Sequence, residues 1–330
     1  MKIAILDDYQ DTVRKLDCFA LLQQHEVKVF QSSARGLGQL AIRLAEFEAL
    51  VLIRERTAIT RQLLAKLPRL KLISQTGKVS GHVDVEAATA AGVAIAEGVG
   101  DPTAPAELTW ALIMAAMRRV PGYSENLKRG TWQAASPDPA HNSLGRVLKG
   151  RTLGIWGYGK IGRLVAGYAR AFGMRVVVWG REASLERSVK DGFEAAASRT
   201  AFFAEADVLT LHLRLNEATR AAVSAADLAL MKPDALLVNT SRAELIAPGA
   251  LLEALQAGHP GYAALDVFEN EPLAADSPYL RLPNVLATPH LGYVEKDSYE
   301  LYFRAAFENV LNFAAGVPSG ILNPDFAKHA

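Results

Sequence analysis

The chain has 330 residues but only one cysteine. No disulfide can therefore form within it, and Cys18 lacks the partners of a metal site, so it reads as a small buried apolar residue in a reducing compartment. Long apolar runs are also missing: Arg, Asp or Glu interrupts every stretch that might reach the ~18 residues of a membrane span. The opening Met1-Lys2-Ile3-Ala4-Ile5-Leu6-Asp7-Asp8 meets acid after four apolar residues, too few for a signal peptide, so a soluble, cytoplasmic protein with no membrane partner is expected. Excess charge is absent as well. A net charge of +1 without a long Lys/Arg run builds no field for a phosphate backbone, so nucleic acid is not an expected partner. The seven histidines form no H-E-x-x-H pattern and none pairs with a cysteine cluster, which disfavours a metal-dependent hydrolase and predicts no metal. No short-period repeat or low-complexity tract suggests a solenoid or a linker.

Half of the residues are apolar and 22% are charged, a globular composition, and the length suits roughly two domains. Short β-branched runs alternate with helix-like stretches at residues 3–6, 27–30, 50–53, 70–74 and 93–96, the grammar of a parallel sheet. Residues 106–119 read as one long helix ending before Pro121-Gly122. Residues 121–150 carry Pro121, Pro137 and Pro139 without clear periodicity and read as an extended excursion suited to packing on a partner subunit. A second alternation starts at Thr152, with strands at 176–179, 208–211, 235–239, 263–267 and 285–287. A returning helix is expected over 298–315, before Gly316 and Pro318. The fold class is α/β, with two Rossmann-like or flavodoxin-like parallel-sheet domains. A dinucleotide domain, 103–293, is inserted into a discontinuous substrate domain, 1–102 and 294–330.

Gly157-Tyr158-Gly159-Lys160-Ile161-Gly162 is a G-x-G-x-x-G that follows a strand and opens a helix, and all six residues are candidate cofactor contacts. The first glycine permits the turn, the second lets the backbone approach a pyrophosphate, and the third lets helix and strand pack closely. The helix N–H groups then face the anion. At the end of the second strand, where an NAD site usually has Asp or Glu, this chain has Gly180 and then Arg181. The cofactor is NAD(P). The missing carboxylate and the guanidinium favour NADP over NAD, whereas the adjacent Glu182 offers a ribose contact and works the other way.

Ligands of open α/β sheets collect beyond the carboxyl ends of the strands. Three such ends run into Arg242, Glu271 and His290. Reduction of a 2-oxo acid needs these groups. Arg242 can clamp carboxylate and carbonyl, His290 can give a proton as hydride arrives, and Glu271 can orient and charge the imidazole. Arg54, at a strand end of the first domain, is a candidate contact for the far end of the substrate.

With these motifs in the order Asn239-Thr240-Ser241-Arg242, Asp266-Val267-Phe268 through Glu271-Pro272 and Thr288-Pro289-His290, the chain resembles the D-isomer-specific 2-hydroxyacid dehydrogenases over nearly its whole length. That resemblance implies an oxidoreductase interconverting a small D-2-hydroxy acid and its 2-oxo acid, with Arg242, Glu271 and His290 catalytic. It implies further that Thr240 and Asp266 lie near the nicotinamide and His212 near the adenine. Gly292 joins the cofactor contacts. The turn containing Lys78, Val79 and Ser80 would offer backbone N–H groups to the substrate carboxylate, and a homodimer is expected. A different outcome is a dinucleotide-sensing interaction protein similar to the corepressors of this family, with little turnover. Lys78 and His82 alter the usual glycine-rich substrate turn, Arg214 replaces a frequent proline, and the chain ends without the regulatory domain of longer phosphoglycerate dehydrogenases.

Overall fold

The computed structural model describes residues 1–34 and 36–329. It divides into two units, Met1–Asp101 with Glu295–Ala330, and Pro102–Val294. Each is built on one sheet, and every strand pair in both sheets is parallel.

In the first unit the strands are β1 (Lys2–Ile5), β2 (Glu26–Val29), β3 (Ala49–Leu52), β4 (Leu72–Gln75) and β5 (Ala94–Glu97), in the order β2-β1-β3-β4-β5. This is the flavodoxin-like order. The expected strands lie within about two residues of these, close to the usual uncertainty of strand ends. β3 and β4 are buried along their whole length; β3 accordingly reads as an unbroken apolar run rather than an alternating one, whereas β4 ends in the buried polar pair Ser74 and Gln75. The C-terminal helix Lys296–Ala314 buries Phe303, Ala306 and Phe307, and the Ala306 carbonyl accepts the Ser74 hydroxyl at 2.8 Å. The chain then adds Leu322 and Asn323 beside Ile95 through two hydrogen bonds of 2.8 Å, closing the edge of β5.

The second unit holds β6 (Thr152–Trp156), β7 (Arg175–Trp179), β8 (Glu194–Ala195), β9 (Val208–Leu211), β10 (Leu236–Asn239), β11 (Tyr262–Leu265) and β12 (Val285–Ala287). Their order is β12-β11-β10-β9-β6-β7-β8. The chain starts in the middle, runs outward through β7 and β8, and returns to the other side of β6. The reversal between β6 and β9 is the switch point where such sheets bind ligands. Apolar layers cover both faces, one containing Phe202, Phe203 and Leu237, the other Ile113, Val165 and Val238.

Two features were not legible beforehand. The excursion is not without regular structure, because Val120–Lys128 is a helix with Pro121 in its first turn, where no backbone N–H is required. The two-residue β8 is exposed and too short to leave a pattern.

Candidate active site

Strand register puts the site together. Trp156 pairs with Trp179 and Leu211, Leu211 with Asn239, Asn239 with Leu265, and Leu265 with Ala287. The residues that follow these strand ends, Gly180, Gly157, His212, Thr240, Asp266 and Thr288, therefore form one row along the carboxyl edge. Candidates spread over more than a hundred positions become neighbours because six adjacent strands end level.

Each motif glycine answers a different steric demand. Gly157 has φ +102°, and a Cβ on it would stand 2.6 Å from the His212 carbonyl oxygen. Gly162 lies so close to the Gly157 carbonyl that a Cβ would come within 2.3 Å, so the helix Lys160–Ala171 packs directly on the turn. Gly159 is the helix N-cap, and a Cβ there would meet nothing within 4 Å. Its bareness leaves room for an outside group at a helix N-terminus with no capping side chain, which fits a dinucleotide phosphate.

Not every motif residue faces that space. Tyr158 is buried, and its hydroxyl donates to Asp191 Oδ2 at 2.9 Å; burial and the carboxylate push the phenol up to about 12. Its side chain anchors the loop. Lys160 is exposed and Ile161 half-buried on the first helical turn. Arg181 is exposed and caps the helix Glu182–Lys190. At Gly180 a Cβ would be 3.5 Å from Ser184 Cβ, an ordinary contact, so steric crowding does not forbid a carboxylate there. His212 donates its backbone N–H to Trp156 O at 2.8 Å, and burial lowers its imidazole to about 4, so it is neutral near pH 7.

On the other side of the row, His290 Nδ1 lies 2.6 Å from Glu271 Oε2, while Glu271 Oε1 accepts the Phe268 N–H at 2.9 Å. Burial works against the Glu271 charge, but the His290 hydrogen bond and charge, the Phe268 N–H and the Arg242 charge outweigh it and hold the carboxyl below its ordinary range. An ionised carboxylate can only accept, so Nδ1 carries a proton and Nε2 is the atom available for exchange. His290 itself sits at φ +54°, a left-handed conformation that costs a non-glycine residue about 1 kcal/mol.

Asp266 holds that turn. Its carboxylate is fully buried and accepts the Thr288 hydroxyl and Leu291 N–H at 2.7 Å and the Gly292 N–H at 2.9 Å. Burial raises its carboxyl, against these hydrogen bonds. A Cβ on Gly292 would stand 3.5 Å from Asp266 Oδ2, so Gly292 is part of the same turn. Arg242 is half-buried and extended, with Nη1 donating to the Ser241 carbonyl at 2.6 Å. Asn239 braces it, giving Nδ2 to the Arg242 carbonyl at 2.9 Å and taking the Ser241 N–H at 3.1 Å. Thr240 shares a 2.7 Å hydrogen bond with the buried Thr109 hydroxyl. Asn239 stood in the quoted motif without a role of its own, and Thr109 was not picked out from sequence. An Asn two residues before a polar N–H carries a local turn signal that could have revealed the first, whereas nothing marks Thr109 within an apolar helix.

In the first unit, Arg54 has φ +53° and lies against Gly77. The turn from Gly77 to Ser80 follows β4. Its Val79 N–H is taken by Glu97 Oε1 at 2.8 Å and the Lys78 ammonium by Glu97 Oε2 at 2.9 Å, and Ser80 is exposed. The expectation of N–H groups waiting for a ligand is thus altered at Val79, whose donor is already satisfied within the chain. Among the described residues no group of three or more His, Cys, Asp or Glu could hold a metal, and no helix is long and apolar enough to cross a membrane.

Residues 110–292 match the family described as D-isomer specific 2-hydroxyacid dehydrogenase, NAD binding domain. The chain is 38% identical over 269 residues to a glyoxylate reductase of Aeropyrum pernix, covering 81% of this chain and 80% of that one. It is 36% identical over 299 residues to a D-3-phosphoglycerate dehydrogenase of Methanocaldococcus jannaschii, covering 88% of this chain and 53% of that protein. A solved phosphoglycerate oxidoreductase of Vibrio cholerae O395 superposes with a TM-score of 0.92 at 58% identity, covering 96% of this chain and 99% of that one. Nothing in these likenesses favours a cofactor-sensing corepressor. They describe oxidoreductases acting on CH–OH donors with a nicotinamide dinucleotide, which interconvert a hydroxy acid and its oxo acid. This chain, with the glycine turn and strand-end row that such chemistry uses, belongs to the D-isomer-specific 2-hydroxyacid dehydrogenase family.

Proposed function

We propose that Arg242, Glu271 and His290 carry out the reduction of a small 2-oxo acid to its D-2-hydroxy acid, and the reverse. The observation that carries this reading is the 2.6 Å hydrogen bond between His290 Nδ1 and Glu271 Oε2 at the strand edge that also bears the glycine turn. When bound, the reduced nicotinamide supplies the hydride that reaches C2 of the oxo acid. Arg242 holds the carboxylate and carbonyl of the substrate through its planar fork. His290 releases the proton on Nε2 to the carbonyl oxygen, and Glu271 keeps the ring oriented and compensates its positive charge beforehand. In the oxidative direction Nε2 takes the proton back. Thr240 and Asp266 border the nicotinamide and His212 the adenine, with Gly292 alongside.

We further infer that NADPH is preferred to NADH, since Gly180 places no carboxylate against a 2′-phosphate and Arg181 offers a cation. The substrate belongs to the class named by the relatives, glyoxylate or another short 2-oxo acid. Its contacts in the first unit are the turn Lys78–Val79–Ser80 and Arg54. The protein is a cytoplasmic homodimer joined through the helix Thr103–Met117 and the 121–150 segment. In that segment Trp132 is 75% and Leu144 86% exposed, large apolar surfaces that a partner subunit would cover.

A panel of 2-oxo acids assayed with NADH and NADPH tests the reaction, and sedimentation tests the dimer. Arg242→Ala is expected to lower kcat/KM about 1,000-fold while sparing cofactor affinity. Unchanged turnover would overturn the assignment of Arg242.

A further inference from the structure

The carboxyl edge of the five-stranded sheet contains an anion site that the chain itself fills. Register sets Glu97, the last residue of β5, beside Gln75, the last of β4. The Glu97 backbone is fixed, its N–H given to the Gly320 carbonyl at 2.9 Å and its carbonyl taking Asn309 Nδ2 at 3.1 Å. The following N–H, of Gly98, goes to the Gly77 carbonyl at 2.8 Å. From this fixed base the side chain reaches over the turn, where Oε1 accepts the Val79 N–H at 2.8 Å and Oε2 the Lys78 ammonium at 2.9 Å. The carboxylate is 18% exposed, whereas the lysine is 68% exposed and free to follow another anion. A Cβ on Gly77 would stand 2.2 Å from Arg54 Nη1, so a guanidinium lies directly against the same turn.

A backbone N–H and an ammonium, with a guanidinium alongside, form a donor set suited to the carboxylate of a small acid. Here the N–H and the ammonium are already engaged by a carboxylate of the chain. We propose that Glu97 is a specificity-determining residue that acts as an internal stand-in for the substrate carboxylate, and that an incoming 2-oxo acid binds this turn by exchanging with it. The inference rests on the reading of the turn as a substrate contact. Exchange moves no covalent bond. The substrate carboxylate takes the Val79 N–H and the Lys78 ammonium, and the Glu97 side chain turns out to water. Each binding event therefore loses one charge-assisted pair for each one it gains, which keeps affinity for a lone carboxylate low.

The competing account, in which Glu97 permanently fastens the turn, predicts the opposite sign. Under exchange, Glu97→Gln removes the competing charge and leaves Lys78 for the substrate, so KM for glyoxylate falls about fivefold with kcat nearly unchanged. Under permanent fastening the variant loosens the turn, and KM stays the same or rises; that result would overturn the proposal. Lys78→Met, at an exposed position that tolerates change, leaves the Glu97 charge uncompensated and should raise KM about fivefold. An unaltered KM in this variant would also overturn it, and Glu97→Ala, read for the same fall in KM, takes the place of Glu97→Gln if that variant does not fold. Cofactor binding and thermal melts report folding in each case.

Calorimetric titration of the full-length proteins with oxalate separates this inference from the reductase reading. Tighter oxalate binding by E97Q supports exchange even if the wild type reduces no 2-oxo acid, an outcome that would overturn the reductase reading alone. Equal oxalate affinity in the two proteins would overturn exchange.

Discussion

Glu271 Oε2 and His290 Nδ1 lie 2.6 Å apart although 19 residues separate them in the chain. Their pairing depends on two adjacent parallel strands, β11 and β12, ending level, and on buried Asp266 fixing the turn that carries the histidine. The imidazole is thus oriented by backbone geometry and by the two carboxylates.

Asp266→Asn tests that support. The native carboxylate accepts from three donors, and an amide would turn an NH₂ group, in place of a carboxylate oxygen, toward a donor that needs an acceptor. Stability should fall by about 1–3 kcal/mol, the cost of a buried unsatisfied pair. Turnover should fall further than stability alone explains. Denaturant unfolding and steady-state kinetics on the folded variant measure the two separately.

The glycine turn gives a contrast between two alanine variants. Gly159→Ala meets no atom within 4 Å, so its melting temperature should match the wild type, while NADPH affinity drops about tenfold because the methyl occupies the ligand's side of the N-cap. Gly162→Ala forces a Cβ to 2.3 Å from the Gly157 carbonyl and should cost about 1–3 kcal/mol of stability. Melting curves with nicotinamide fluorescence titrations check both.

Gly180→Asp addresses cofactor choice. The site accommodates a Cβ at 3.5 Å from Ser184, so the variant should fold, accept the ribose hydroxyls and repel a 2′-phosphate. The ratio of kcat/KM for NADPH to that for NADH should fall about tenfold or more. An unchanged ratio would place the discrimination elsewhere.

His212 links stability to pH. Its folded-state value is about 4 against an ordinary 6.5, with burial as the cause. Between those values the unfolded chain binds the extra proton, so stability rises with pH across that window and is lost as pH falls from 6.5 toward 4. Below 4 both states are protonated and the slope vanishes. His212→Asn should remove the part of the acid-side slope due to this residue, about 2–3 kcal/mol across the window. Thermal or urea unfolding of both proteins at stepped pH measures it.

Much of the fold was legible because its signals are local. Burial on both faces makes β3 a continuous apolar run and β9 nearly one, and Gly157 and Gly162 of the turn are each required by a contact that tolerates no side chain. For the same reason the ends of β6, β10, β11 and β12, and the polar residues beyond them, could be found from pattern alone. The helix Val120–Lys128 was missed because Pro121 and Gly122 mimic a loop, although a first helical turn accepts both.

Residue types and their distances along the chain were determined by the sequence: a glycine turn for an anion, and Arg, Glu and His each placed after a strand. Which donors are engaged was decided only by the tertiary structure. Asp266 spends its carboxylate on the His290 turn, Tyr158 points inward to Asp191, and Glu97 occupies the Val79 N–H. A hydrogen bond joins groups that strand register and chain crossing bring together, and neither register nor crossing is written in the neighbours of any one residue.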